Sequence, residues 1–201
     1  MNEFDDIRPY RDDEVPTVLT RLSSNREFID TLLSIKYPKI AKWVPWLMRP
    51  IISRALHSAF SKIHTVHDLH DAMRTSLGHL LTKIESSVTV SGLEHLDRKK
   101  SYLFISNHRD IAMDPAFVNV ALYDDRRDTV RIAIGDNLLT KPFVSDLMRV
   151  NKSFIVKRSA AGRREKLSAL IQLSRYIRYS LMEENTSIWI AQREGRAKDG
   201  M

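Results

Sequence analysis

"SYLFISNHRDIAMDPAFVNVALYDD", residues 101–125, holds an apolar run, a polar break and a second apolar run that begins at Asp-Pro. The first run, "SYLFIS", is short and rich in strand-forming residues, and it reads as a strand. The second reads as a helix, with Asp114 as its N-cap and Pro115 at the first helical position, where a missing N–H is no loss. The same pattern recurs downstream. "TVRIAI", "SFIVK" and "SIWIAQ" are further short apolar runs, "SVTVSG" precedes them all, and helical stretches lie between. The clearest helix is "REKLSALIQLSRYIRYSLMEEN", whose apolar face is expected to be Leu167, Leu170, Ile171, Ile177 and Leu181. Strands that alternate with helices pair in parallel through right-handed crossovers. The expected fold is α/β: a three-layer αβα sandwich with a mostly parallel sheet, preceded by an N-terminal helical arm.

Upstream of residue 87 the period changes to that of helices. Ile40, Val44, Leu47, Ile51, Ala55 and Ala59 recur at helical spacing, although Pro45 and Pro50 must break or kink the segment. Trp43 and Trp46 stand beside basic residues at its start, a composition that suits a membrane interface as well as a helix packed on its own domain. Val66, Leu69, Met73, Leu77, Leu80 and Ile84 mark a second helix and are expected in the core. His64, His67 and His70 lie three apart, but each step of three turns about 60° off the face, and no acidic or sulfur cluster completes a metal shell. No metal site is expected. The expected division is a helical arm over residues 1–86, with a possible membrane-interfacial role, and an α/β core over 87–201.

Bulk composition narrows the partners. Hydrophobic residues at 43% and charged residues at 28% are ordinary globular usage, which sets disorder aside. A surplus of 32 Lys+Arg over 25 Asp+Glu favours anionic partners: phosphorylated metabolites, anionic lipid, an acidic carrier protein or nucleic acid. Nucleic acid is disfavoured, because aromatics are only 8% and no recognition motif appears. The absence of cysteine excludes disulfides, cysteine nucleophiles and thiolate metal sites. The first residues are acidic and lack a signal-peptide core, and no run of about 18 apolar residues exists, so a membrane span is not expected.

In an open parallel sheet, functional groups collect at the carboxyl ends of the strands. Four runs lead to such ends: "LFISN" into His108, "RIAIG" into Asp136 and Asn137, "SFIVK" into Arg158, and "SIWIAQ" into Glu194, Gly195 and Arg196. If parallel, they share one rim. Imidazole titrates near neutrality, so His108 suits removal of a proton from a substrate hydroxyl, and a carboxylate on its far nitrogen would fix the tautomer. The guanidinium fork matches a phosphate. The set points to acyl or phosphoryl transfer to a phosphorylated alcohol, and the absence of a G-x-x-x-x-G-K loop weighs against nucleotide chemistry. Asp136 and Asn137 in "GDNLL" read as a helix cap rather than as reactive groups.

"VSGLEHLDRKKSYLFISNHRDIAMDP" resembles the first block of the glycerolipid acyltransferases, in which a strand precedes Asn-His-x4-Asp. "GDNLLTKPFVSDLMRVNKSFIVKRS" and "REGRAKDG" are similar to the next two blocks, in the same order over residues 88–200. The resemblance implies a general base at His108, an acyl thioester of coenzyme A or acyl carrier protein as co-substrate, and no cofactor. It implies glycerol-3-phosphate or lysophosphatidate as acceptor, phospholipid biosynthesis, and a cytoplasmic site of action at the membrane surface. Arg158 and Arg196 would bind the acceptor phosphate, Glu194 and Gly195 would shape the loop beside it, and Lys157 is a weaker candidate for the same anion. This chain departs from the pattern in two places. The position five residues after the histidine is Met113, which leaves Asp114 or Asp110 as the orienting carboxylate, and the last block reads "QREGR", with Arg193 in place of proline and one residue fewer between Gly195 and Arg196. Family members continue past the third block with another strand and helix, so the core is expected to be truncated at Met201. Two other readings stand beside this one: a catalytically silent lipid-surface module anchored by residues 43–60, and a thioesterase that transfers to water.

Overall fold

Four short strands lie in one sheet because each is returned to the same direction by a connection that contains a helix. The computed structural model describes residues 3–85 and 89–192, with only the backbone of 76–85. In chain order the helices are α1 (Val15–Ser24), α2 (Arg26–Lys36), α3 (Pro38–Trp43), α4 (Pro45–Phe60), α5 (Val66–Glu85), α6 (Met113–Asp124), α7 (Pro142–Val150) and α8 (Gly162–Met182). The strands are β1 (Leu103–Ser106), β2 (Arg131–Gly135), β3 (Ser153–Val156) and β4 (Ile188–Ala191). They are ordered β1-β4-β2-β3 and every pair is parallel. The expected run at 87–92 adds no strand among its described residues, Thr89 to Gly92, and its first two residues lie outside them.

The sheet is covered on both faces, as a parallel sheet must be. Successive residues of β4 point to opposite sides: Ile188 joins Phe154 and Tyr176 under α8, and Trp189 joins Leu122 and Val130 under α6. Helix, sheet and helix give the three layers. Residues before the first helix also take part. The amide of Ile155 donates to the carbonyl of Ile7 at 2.8 Å, Ile7 is buried with Phe154, and Phe4 lies 5.4 Å from both Tyr176 and Tyr179.

The α8 stripe divides differently from its expected face. Ile177 and Leu181 pack on the sheet with Tyr176, whereas Leu167, Leu170 and Ile171 are exposed. A helix of 21 residues is about 31 Å long, and strands of four residues reach only about 13 Å. The N-terminal half of α8 therefore overruns the sheet.

The chain forms two compact units: the segment up to Arg8 with Leu80–Leu138 and the segment from Lys152, and a helical unit of Pro9–His79 with Leu139–Asn151. In the helical unit α1, α2, α5 and α7 meet over Val15, Leu19, Leu22, Phe28 and Phe143, and Val66 and Leu69 of the second predicted helix are buried there. Met73 is exposed, and the side chains of Leu77, Leu80 and Ile84 lie outside the described residues. The break in the Trp-rich segment falls at Val44, between α3 and α4, while α4 continues through Pro50. Its predicted apolar stripe faces outward. Leu47, Ile51, Ala55 and Ala59 are exposed, and it is Leu56 and Phe60 that pack on the core.

Asp146 is the polar centre of this unit. Buried on α7, it accepts from Arg21 Nε and Nη2 at 2.7 Å each and from the Tyr10 hydroxyl at 2.7 Å. Burial raises its pKa, but the hydrogen bonds from Arg21 and Tyr10 outweigh that and hold the carboxyl below the usual carboxylate range. A depressed folded-state pKa adds stability that is present above the unfolded value, about pH 4, and lost as pH falls through the folded one. Asp146→Ala is expected to destabilise the chain by about 1–3 kcal/mol at neutral pH, discounted because Arg21 is half exposed and water screens its charge. Urea unfolding across the acid range checks this: the variant should lose less of its remaining stability below pH about 4 than the wild type does.

Candidate active site

His108 follows β1 by one residue, on the loop that turns into α6. Its imidazole is mostly buried, with 15% of the side chain exposed, and Nδ1 lies 2.9 Å from Asp114 Oδ2. A carboxylate only accepts, so Nδ1 carries the proton and Nε2 is left as a lone-pair acceptor. Among the described residues Nε2 has no hydrogen-bond partner. The same oxygen of Asp114 also accepts from the amides of Arg109 at 2.6 Å and Asp110 at 3.0 Å. Asp114 sits in the first turn of α6, where the unpaired N–H groups favour a carboxylate.

The two candidate aspartates have separate tasks. Asp110 accepts from the amides of Ala112 and Met113 through Oδ1, at 2.9 Å each, and so closes the start of α6. The helix begins at Met113, not at an Asp114 cap as its sequence suggests, and this leaves the Asp114 side chain to turn back onto His108. The distance of six residues between histidine and aspartate is accommodated by the turn that Asp110 holds.

Trp189 completes the histidine's surroundings and is not marked by any motif. Its ring meets that of His108 edge to face, with centroids 5.6 Å apart at 68°, and its Nε1 donates to Ser106 Oγ at 3.0 Å. The imidazole is thus held between the Asp114 carboxylate and a buried indole that is itself pinned to β1. The parallel register sets Phe104 against Trp189, and that pairing of β1 with β4 cannot be read from either strand alone.

The other strand ends lie on the same side, because all the pairs are parallel. Arg158 follows β3, and its stem lies across the end of β2: a Cβ at Gly135 would sit 3.1 Å from Arg158 Cδ and 3.2 Å from Nε, and would collide with Asn137 Oδ1. Glycine at 135 leaves room for that approach. Among the described residues the guanidinium has no ion-pair partner. The ends of β1 and β2 are separated by β4, or about 10 Å for two strand spacings. Asp136 opens a single 3-10 turn, Asp136–Leu138, and its carboxylate also reaches the end of the next strand. Burial opposes its charge, but Ser159 Oγ and the amides of Ser159 and Arg158 bond to it and hold its carboxyl below the usual range, tying the end of β3 to β2.

Lys157 is already engaged. Its ammonium pairs with Asp6 and donates to Gln172 Oε1 at 2.9 Å, so its charge is already answered. Arg193, Glu194, Gly195 and Arg196 lie outside the described residues. A groove of about 540 Å³ opens beside the arginine loop, lined by Asp136, Lys157, Ser159, Glu165 and Gln172. Among the described residues no cluster of three or more His, Asp or Glu could hold a metal ion; His70 of the spaced histidines is hydrogen-bonded to Asn151 at 2.8 Å.

A mostly buried histidine with its tautomer set by a carboxylate, on the same edge of a parallel sheet as an arginine, can accept a proton beside a bound anion. A family model described as Acyltransferase matches residues 87–199. No curated protein matches the chain. The family match takes in all four strands, the histidine loop and the arginine loop, and it covers more than half of the sequence: the chain belongs to the Acyltransferase family.

Proposed function

We propose that this acyltransferase moves a fatty acyl group from the thioester of coenzyme A or acyl carrier protein to the hydroxyl of a phosphorylated glycerol, as a step of phospholipid synthesis. The observation that carries the reading is the 2.9 Å contact between His108 and Asp114, with no partner for Nε2 among the described residues. Nε2 takes the acceptor's hydroxyl proton as the oxygen attacks the thioester carbonyl. The tetrahedral centre then collapses, the carbon–sulfur bond breaks, and the imidazolium returns the proton to the departing thiolate. Asp114 stabilises the imidazolium between the two steps. No acyl-enzyme is needed, since the thioester is already activated. Arg158 holds the acceptor phosphate as a planar fork, and by the family resemblance Arg196, beside Glu194 and Gly195, holds it too.

The test is thiol release from an acyl-coenzyme A with and without glycerol-3-phosphate or lysophosphatidate. Because the chain has no cysteine, a thiol reagent reports the coenzyme alone. Release should depend on the phosphorylated acceptor, and Arg158→Gln should raise the acceptor KM by about 10- to 100-fold, the loss of one charge-assisted pair, with the donor KM unchanged. Release that ignores the acceptor would make the chain a thioesterase. No release from either coenzyme A or carrier-protein thioesters would leave a silent lipid-surface module as the better reading.

A further inference from the structure

The helical unit carries unsatisfied apolar surface on one corner. Where α3 gives way to α4, Trp43 is 80% exposed, Trp46 67%, Ile51 56% and Leu47 51%. α4 packs its other face on the core through Leu56 and Phe60, so this is a second apolar face, uncovered among the described residues. The charge around it has one sign. Between Asp30 and Asp68 the sequence contains no acidic residue and carries Lys36, Lys39, Lys42, Arg49, Arg54 and Lys62. Arg49 is paired with Asp30, whereas Lys39, Lys42 and Arg54 are exposed and have no carboxylate partner among the described residues.

We infer that this corner docks on the surface of an anionic lipid bilayer, with Trp43, Trp46, Leu47 and Ile51 in the headgroup boundary and Lys36, Lys39 and Lys42 against the lipid phosphates. An indole has an apolar body and a polar N–H, which suits that boundary, and lysine stems extend from it while their ammonium groups stay in water. A second copy of the chain is a poorer occupant. A two-fold interface would set these cations against their own copies with no carboxylate to answer them. The corner lies on a bilayer rather than through it: α4, at 16 residues, is about 24 Å long against a hydrocarbon core of about 30 Å, and no described helix is long and apolar enough to cross a membrane.

Co-sedimentation of the full chain with vesicles tests this, using phosphatidylcholine alone and phosphatidylcholine with phosphatidylglycerol. No thioester is present, so the result is independent of the acyl-transfer reading. Binding should require phosphatidylglycerol, weaken with salt, and blue-shift the tryptophan fluorescence; Trp189, 2% exposed, is already out of water, so the shift reports the corner. Trp43→Ser with Trp46→Ser should weaken binding by about tenfold or more. Lys39→Gln with Lys42→Gln should weaken it by roughly fivefold for each charge. All four positions are exposed, so thermal unfolding should not move. Absence of binding, equal binding to neutral vesicles, or binding that either double variant leaves unchanged would overturn the inference. So would a concentration-dependent dimer in solution that the tryptophan variant abolishes, which would make the corner an interface between copies.

Discussion

Acceptor-dependent thiol release by the His108→Ala variant is expected to fall by about 10²- to 10⁴-fold in kcat, the usual contribution of a positioned general base. The hydroxyl of a glycerol is far too weak an acid to ionise near neutrality, so without Nε2 it must attack with its proton in place. The loss should appear in kcat and not in the donor KM, because the imidazole is proposed to act in the transition state and not in holding the coenzyme. Folding should survive. Asp114 keeps its two amide donors from Arg109 and Asp110, and the space left beside Trp189 is that of one ring at the edge of the sheet, an effect of about 1 kcal/mol. A folded His108→Ala protein with wild-type turnover would sink the general-base role.

The second large effect separates the two aspartates. Asp114→Asn is expected to lower kcat by about 10²- to 10³-fold, because an amide can present its NH₂ to Nδ1 and favour the wrong tautomer, and because the imidazolium loses its counter-charge. Asp110→Asn should stay within about threefold of wild type, since asparagine keeps the Oδ1 that receives Ala112 and Met113 and caps about as well as aspartate. A positioning role for Asp114 makes a further demand. Once His108 is alanine there is nothing left to position, so adding Asp114→Asn should cost little more, whereas two independent structural losses would multiply. The reverse ranking of the two asparagine variants would move the orienting role to Asp110.

Much of the rim is legible before folding. "LFISNH" is a strand that ends at a histidine, and "SFIVKR" is one that ends at an arginine; parallel pairing then puts both at the same edge. Three features were out of reach. Trp189 lies 81 positions beyond His108 and meets it only because β4 inserts between β1 and β2, an order set by how the helices cover the sheet. Lys157 and Arg158 are adjacent cations in the sequence, yet they meet different neighbours past the end of β3: Asp6 and Gln172 engage the first, and Gly135 makes room for the second. Ile7 and Phe4 sit in an acidic stretch with no periodicity long enough to announce a core contact, and their burial depends on β3 being there to receive them.

Local pattern alone determined the class of the four strands and of the helices it marked, the run at 87–92 being the exception. Apolar period, Asp-Pro and strand-rich runs depend on residues within a few positions, and these favour helix or strand by their own backbone and side-chain preferences. Which side of an element is buried was decided by the tertiary structure. The stripe at Leu47, Ile51, Ala55 and Ala59 and the N-terminal half of the α8 stripe both have helical spacing, and both face outward, because one helix packs through Leu56 and Phe60 and the other outruns a four-residue-deep sheet. The choice of Asp114 over Asp110 against His108 has the same origin. Both carboxylates are within reach along the chain, and the turn into α6 sets Asp110 on the amides of Ala112 and Met113 and Asp114 on the imidazole and the amides of Arg109 and Asp110.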